Sequence, residues 1–146
     1  MPTSVRQLLE TKGPELHTIA PVASVYEAIE RMAEKGVGAL AVTSKTGRLQ
    51  GILSERDCFR KVLLKGRSPH KVPVREVMTR EPICVSLDST VEDCLRLMDA
   101  HKIRHLPVMR EGRVVGMISM RDLVAFLSRE RDQAIHRLEK YIEETP

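Results

Sequence analysis

The sequence predicts an α/β (α+β) fold built from two tandem copies of a strand–helix–strand–strand–helix unit. Three observations carry that expectation. The stretch Gly51-Ile52-Leu53-Ser54-Glu55-Arg56-Asp57 returns 65 residues later as Gly116-Met117-Ile118-Ser119-Met120-Arg121-Asp122. Aligning residues 24–45 with 90–111, and 47–57 with 112–122, leaves only Thr46 over and makes ten of 33 positions identical. Chance would give about two, so an internal duplication with a unit of roughly 60 residues sets the architecture. Finally, each copy of the repeated stretch follows an apolar run of strand character and precedes a run of helical apolar spacing.

Taken in order, Val5, Leu8 and Leu9 have the spacing of a short opening helix, and Val74–Met78 repeats it before the second unit. His17–Ile19 and Ile83–Val85 read as the short first strands. Ser24 with Glu27 forms a capping-box pattern. Val25, Ala28, Ile29, Met32 and Ala33 mark one helical face, and Gly36 is a C-terminal stop. Val91, Cys94, Leu95 and Met98 repeat that face. Ala39–Thr43 and Leu106–Met109 are strands. Turns at Thr46-Gly47 and Glu111-Gly112 lead into Gln50–Leu53 and Val114–Ile118, completing hairpins. Helices over Glu55–Leu64 and Met120–Leu127 close the units. The units thus occupy residues 3–66 and 74–128, joined by a connection with Gly66, Pro69 and Pro73. Residues 129–146 continue as an amphipathic helix whose stripe of Ala134, Ile135, Leu138, Tyr141 and Ile142 needs a partner surface, and a second copy of the chain is the expected one.

Composition narrows the function classes. Two Phe, two Tyr and no Trp leave an aliphatic core. No run approaches the ~20 apolar residues of a membrane span, and the amino terminus lacks signal-peptide design, so a cytoplasmic protein is expected. Cys58, Cys84 and Cys94 are odd in number and contain no CxxC, which argues against a zinc site or a disulfide framework. His101 and His105 are four apart, but Ile103–Val108 reads as the start of a strand, so the two do not share a helical face and no metal is expected. His17 and His70 read as strand-end or loop residues. Residues 56–80 hold eight cations against two anions, a local balance of +6 within a net charge of +4. That segment suits an anionic partner or a solvated face.

The repeated corner is chemically suited to a nucleotide. A helix start presents free N–H groups to phosphate, a carboxylate accepts two hydrogen bonds from a ribose diol, and a guanidinium pairs with phosphate. Asp57 and Asp122 are therefore candidate ribose ligands, with favourable placement in a helix's first turn as the plainer role. Ser54 and Ser119 suit both an N-cap and a ligand contact. Arg56 and Arg121 suit a phosphate or a neighbouring carboxylate. Arg60, Lys61, Lys65 and Arg67 suit a longer phosphate tail or solvent.

These features resemble the cystathionine-β-synthase (CBS) domain pair, or Bateman module, over about residues 3–128. The resemblance rests on both serine–arginine–aspartate corners, on Lys102-Ile103-Arg104-His105-Leu106-Pro107-Val108, and on Val77-Met78-Thr79. Arg56–Lys61 with Lys65-Gly66-Arg67-Ser68 further resembles stand-alone CBS-pair proteins of bacteria and plant mitochondria. The resemblance implies β-α-β-β-α units related by a pseudo-twofold axis, with packed sheets and interunit clefts for AMP, ADP, ATP, NAD or S-adenosylmethionine. It also implies dimerisation of pairs into a disc. It places adenine against the backbone at Thr18-Ile19 and Cys84-Val85, and phosphate-contacting side chains at Arg104 and His105, with Pro107 following. The first unit has Gly38 and Ala39 at the latter positions, so the two clefts are expected to differ.

Three function classes follow. The leading one is a regulatory, non-enzymatic module that senses an adenosine nucleotide and signals to an as yet unidentified partner by changing shape. A nucleic-acid-binding module using residues 56–80 is the alternative, weakened by the scarcity of aromatic side chains for stacking. An enzyme would need a nucleophile–base pair or a metal cluster, and no such constellation is legible.

Overall fold

The structure, a computed structural model, describes residues 2–13 and 15–144. The last two residues of the expected segment 129–146 lie outside these. The elements run α1 (Val5–Lys12), β1 (Thr18–Ile19), α2 (Val25–Lys35), β2 (Ala39–Thr43), β3 (Leu49–Ser54), α3 (Glu55–Cys58), α4 (Val74–Val77), β4 (Thr79–Arg80), β5 (Val85–Ser86), α5 (Val91–His101), β6 (His105–Arg110), β7 (Arg113–Ser119) and α6 (Met120–Glu144). After α3 the backbone widens into a π-helical stretch, Phe59–Leu63.

Two sheets result. One has the order β1-β2-β3-β4, the other β5-β6-β7. In each, the short first strand pairs in parallel with the next and a hairpin follows, in matching registers: Ala39 opposite Ser54, His105 opposite Ser119. Strand alternation sorts the side chains. Leu40, Val42 and Leu53 turn to a helix-covered core with Val25, Ala28 and Met32. Leu106, Val108 and Ile118 do the same with Val91, Cys94 and Met98. The opposite faces meet each other, small Ala39 and Ala41 with Ile52 on one side and Val114 and Met117 on the other.

Helix α2 ends where Gly36 turns left-handed at φ 66°; its counterpart Lys102 adopts φ 54° despite its side chain. Ser24 caps α2 by accepting from the Glu27 amide, whereas the full reciprocal box forms at Thr90 and Asp93 on α5. The second unit's first strand is Val85–Ser86 rather than Ile83–Val85, and α6 runs unbroken through the junction at residue 128.

The opening segments are exchanged. The Val5 and Arg6 amides donate to Ser89 and Leu87 carbonyls, and the Val91 amide donates to Thr3. The Val74 and Arg75 amides donate to Ala23 and Pro21, and the Val25 amide to Val72. Accordingly Val5 and Leu8 are buried in the second unit's core, and Val74, Val77 and Met78 in the first unit's. Each unit is completed by the segment that introduces the other. Two repeated glycines allow this close approach: a Cβ on Gly51 would lie 2.7 Å from the Thr79 carbonyl oxygen, and one on Gly116 would lie 2.9 Å from Leu9 Cδ2.

Candidate functional site: two clefts between the repeats

The two serine–arginine–aspartate corners are built alike. The Asp57 amide donates to Ser54 Oγ at 3.2 Å, and the Ser54 amide donates back to Asp57 Oδ2 at 3.0 Å. The Asp122 amide donates to Ser119 Oγ at 3.1 Å, and the Ser119 amide to Asp122 Oδ2 at 2.8 Å. Both aspartates thus perform the capping role open to them, which fixes each carboxylate at a helix start. The Glu55 amide donates to the Gly38 carbonyl at 3.0 Å and the Met120 amide to that of Arg104 at 2.9 Å, binding each corner to the start of the neighbouring strand.

Each corner opens into its own cleft. The first, about 610 Å³, is lined by Ser54, Arg56 and Asp57 together with Thr79, Glu81, Pro82, Ile83, Lys102 and Ile103. The second, about 810 Å³, is lined by Ser119, Arg121 and Asp122 together with Lys12, Glu15, His17, Lys35 and Met117. Gly38, Glu55, Arg104 and His105 line both, forming the partition between them. Among the sequence-derived candidates, the structure therefore gathers Gly38, Ser54, Arg56, Asp57, Arg104 and His105 around one cleft. It gathers Gly38, Ala39, Arg104, His105, Ser119, Arg121 and Asp122 around the other.

Thr18, Ile19, Cys84, Val85 and Pro107 line neither cleft. Ile19, Val85 and Pro107 are buried, and the Thr18 carbonyl accepts from Arg31 Nη1 at 2.5 Å. The nearby cleft walls come from one to three residues upstream, at Glu15 and His17 and at Glu81–Ile83. Arg60, Lys61, Lys65 and Arg67 line neither cleft either. Lys61 Nζ donates to the Val77 carbonyl and lies 3.1 Å from Asp57 Oδ1, while Arg67 pairs with Glu76 at 3.4 Å. His101 ends α5 while His105 begins β6, and no cluster of three metal-ligating side chains occurs among the described residues.

The two stretches of sequence that build these repeats and their corner clefts, residues 5–64 and 74–129, each match the model of the CBS domain. The chain belongs to the CBS-domain family. It is 37% identical over 125 residues to the mitochondrial CBS domain-containing protein CBSX3 of Arabidopsis thaliana, covering 82% of this chain and 60% of that one. Longer Arabidopsis CBS proteins are spanned over only 22% of their length. Among solved structures, a protein with CBS domains from Burkholderia ambifaria is 40% identical with a TM-score of 0.80, over 86% of this chain and 93% of that one. A CBS domain protein from Pyrobaculum aerophilum, complexed with AMP, is 27% identical with a TM-score of 0.73, over 82% and 88%.

Within this CBS pair the clefts differ in charge chemistry. Asp57 receives a hydroxyl bond from Thr79, 3.3 Å from Oδ1 and 3.4 Å from Oδ2. Each carboxylate also has an ammonium: that of Lys61, at Asp57 Oδ1, belongs to a residue outside the first cleft, whereas that of Lys12, 2.8 Å from Asp122 Oδ2, belongs to a residue lining the second. Arg56 donates to the Lys102 carbonyl at 3.3 Å across the repeats. Burial holds the imidazole of His105 below the usual histidine range; the Lys12 and Arg104 cations reinforce this, and Asp122 opposes it. His105 therefore stands in the partition as a neutral imidazole with one donor and one acceptor nitrogen at neutral pH. Thr79, Lys12 and Glu81 are cleft residues that a reading by repeat alignment passes over, because they precede the aligned blocks. The phrase Val77-Met78-Thr79 was the available signal for the first of them.

Proposed function

We propose that this CBS pair is a regulatory receptor for an adenosine nucleotide of the AMP, ADP, ATP or NAD type. The observation that carries the reading is the placement of each repeated carboxylate at the rim of its own interunit cleft. Asp57 and Asp122 accept the ribose hydroxyls; Arg56, Arg104 and Arg121 meet phosphate; apolar side chains such as Ile52, Ile83 and Ile103 cover the base. The AMP complex of the Pyrobaculum relative supports the ligand class. Half of the cations in residues 56–80 already have protein partners, Arg56, Lys61, Arg67 and Arg80, which weakens the nucleic-acid alternative.

The signal is a change in how the repeats sit against each other, read by a partner protein. A ligand drives such a change only through unequal affinity for the two arrangements, about 5.5 kcal/mol to invert a 1:99 balance. A second copy of the chain covers the exposed apolar helix faces, among them Phe59 at 53% and Leu138 at 62% exposure. No catalytic role is assigned to the corner serines, whose hydroxyls serve as caps. The test is mass spectrometry of small molecules released from the freshly purified protein, followed by calorimetric titration with the adenosine compounds it reveals. Binding abolished cleft by cleft in Asp57→Asn and Asp122→Asn is expected; absence of heat with AMP, ADP, ATP and NAD would overturn the proposal.

A further inference from the structure

The carboxylates at the two corners are approached by lysines of different origin. Lys61 reaches Asp57 from four residues along the same helical segment, and it lies outside the first cleft. Lys12 comes from α1, 110 residues away in sequence, and its ammonium lines the second cleft. There it lies 2.8 Å from Asp122 Oδ2 and donates to the Met117 carbonyl at 2.5 Å. The pair is only partly screened, with side-chain exposures of 30% and 20%. The second opening segment is built differently: where α1 stays helical through Lys12, the chain after α4 passes into β4, and Glu81, an anion, stands at the rim of the first cleft. A ligand that reaches Asp57 from within its cleft meets the Thr79 hydroxyl. A ligand that reaches Asp122 meets a cation already in place.

From this we infer that Lys12 is a selectivity residue of the second cleft, which makes that cleft favour charged nucleotides over uncharged nucleosides and ties its occupancy to α1. The inference rests on the receptor reading above. A ribose diol that takes Asp122 Oδ2 must displace the ammonium. An uncharged nucleoside then leaves Lys12 without an anion. A nucleotide brings its own phosphate, to which the freed lysine can swing on its flexible stem. The ammonium on Asp57, that of Lys61, sits on Oδ1 and outside the first cleft, which leaves Oδ2 without a cation; the toll therefore differs, the two clefts fill unequally, and only the second pulls on the helix that packs Val5 and Leu8 into the second unit's core.

Calorimetry on the full chain tests this, with Asp57→Asn silencing the first cleft so that the heat reports on the second. Adding Lys12→Met, which keeps the apolar stem, is expected to tighten adenosine binding roughly two- to fivefold, the scale of a partly exposed ion pair. AMP binding is expected to change less than about twofold, because the lost competitor and the lost phosphate partner offset each other. Lys12→Arg keeps the charge and should retain the original AMP preference. Adenosine affinity unchanged or weakened by Lys12→Met overturns the inference. A readout independent of any Lys12 variant is amide hydrogen exchange over residues 5–13, which AMP should accelerate in Asp57→Asn; unaltered exchange at saturation also overturns it. The two readings fail separately: no heat from any adenosine compound in the unmutated chain removes the receptor itself, whereas binding that is insensitive to Lys12 removes only this inference.

Discussion

Gly51 and Gly116 are identical in the repeat, yet the structure makes their replacement by alanine unequal. At Gly51 the added methyl would lie 2.7 Å from the Thr79 carbonyl oxygen and 2.9 Å from Met78 Sδ. The first contact is with backbone, held by the pairing of Gly51 with Arg80 and of Ile52 with Thr79, so relief requires β4 to move off the sheet edge. At Gly116 the close atoms are Leu9 Cδ2 and Cδ1, at 2.9 and 3.0 Å, the ends of a side chain that can change rotamer. Overpacking that displaces backbone costs roughly 1–3 kcal/mol, while relief by rotamer falls near the low end of that range. Both substitutions recover ~0.4–1 kcal/mol by stiffening the unfolded chain. Gly51→Ala should therefore destabilise by about 1–2 kcal/mol and Gly116→Ala by less than about 1. For a chain of this length the difference corresponds to a few degrees in Tm, of order 3 °C per kcal/mol. Urea and thermal unfolding of both variants measure it. Because Thr79 sits on β4 and donates to Asp57, Gly51→Ala should also weaken nucleotide binding at the first cleft. Equal stability of the two variants, or a less stable Gly116→Ala, would refute the reasoning from close backbone approach.

His105 is held below the usual histidine range by burial, so on acidification the unfolded chain takes up a proton there before the folded one does. Its contribution is intact above the unfolded value near 6.5 and is lost as pH falls from there through the lower folded value; stability measured from pH 8 to 5 should drop, and His105→Gln should flatten that drop. Burial pushes the Cys58 and Cys94 thiols up to about 11, with Asp57 and Asp93 nearby adding to it, and burial raises Cys84 as well. Thiol labelling of the native protein at pH 8 should therefore be slow throughout and should reach half-buried Cys84 first, as peptide mass mapping would reveal. Leu138→Asp alters a 62%-exposed side chain and should leave the stability of an isolated copy within about 0.5 kcal/mol while shifting sedimentation toward the monomer; an unchanged sedimentation profile would remove the C-terminal stripe from the self-association surface.

Much of this architecture is legible in the sequence because duplication doubles every weak signal. Ser54-x-x-Asp57 alone is a helix start; repeated as Ser119-x-x-Asp122 after matching hairpins, it marks the two clefts. The hairpin strands and the Gly36 stop follow local chemistry, and the structure reproduces them. What escapes is whatever depends on distant chain. Thr79-Arg80 is too short and polar to announce a strand, and forms β4 only because Gly51 leaves room at the edge of β3. The exchange of opening segments is invisible for the same reason: Val5 and Leu8 show a helix needing an apolar surface, not which unit supplies it. Lys12 reads as an ordinary basic residue in a helix's last turn, where it suits the helix dipole. Its placement in a cleft requires knowing that α1 lies across the second unit. The offset at Thr18-Ile19 and Cys84-Val85 has a simpler cause. Parallel pairing takes up the backbone of Thr18, Ile19 and Val85, so the surface left to each cleft comes from residues that precede the paired strand.

The exchange of opening segments bears directly on how such a receptor would transmit a signal. Were each unit closed on itself, a ligand at one corner would perturb only its own core. Instead the carboxylate of each corner touches the segment introducing the opposite unit, Thr79 at Asp57 and Lys12 at Asp122. Those segments are also where the cores are sealed, by Val74 and Val77 in one case and Val5 and Leu8 in the other. Displacing either contact therefore acts on the joint between repeats rather than on a surface loop. Packed joints have few alternative arrangements, so a small displacement at a corner is resolved as a shift of one repeat against the other. Inequality of the two contacts, a neutral hydroxyl in one cleft and an ammonium in the other, then gives the joint two inputs of different strength from a single duplicated design.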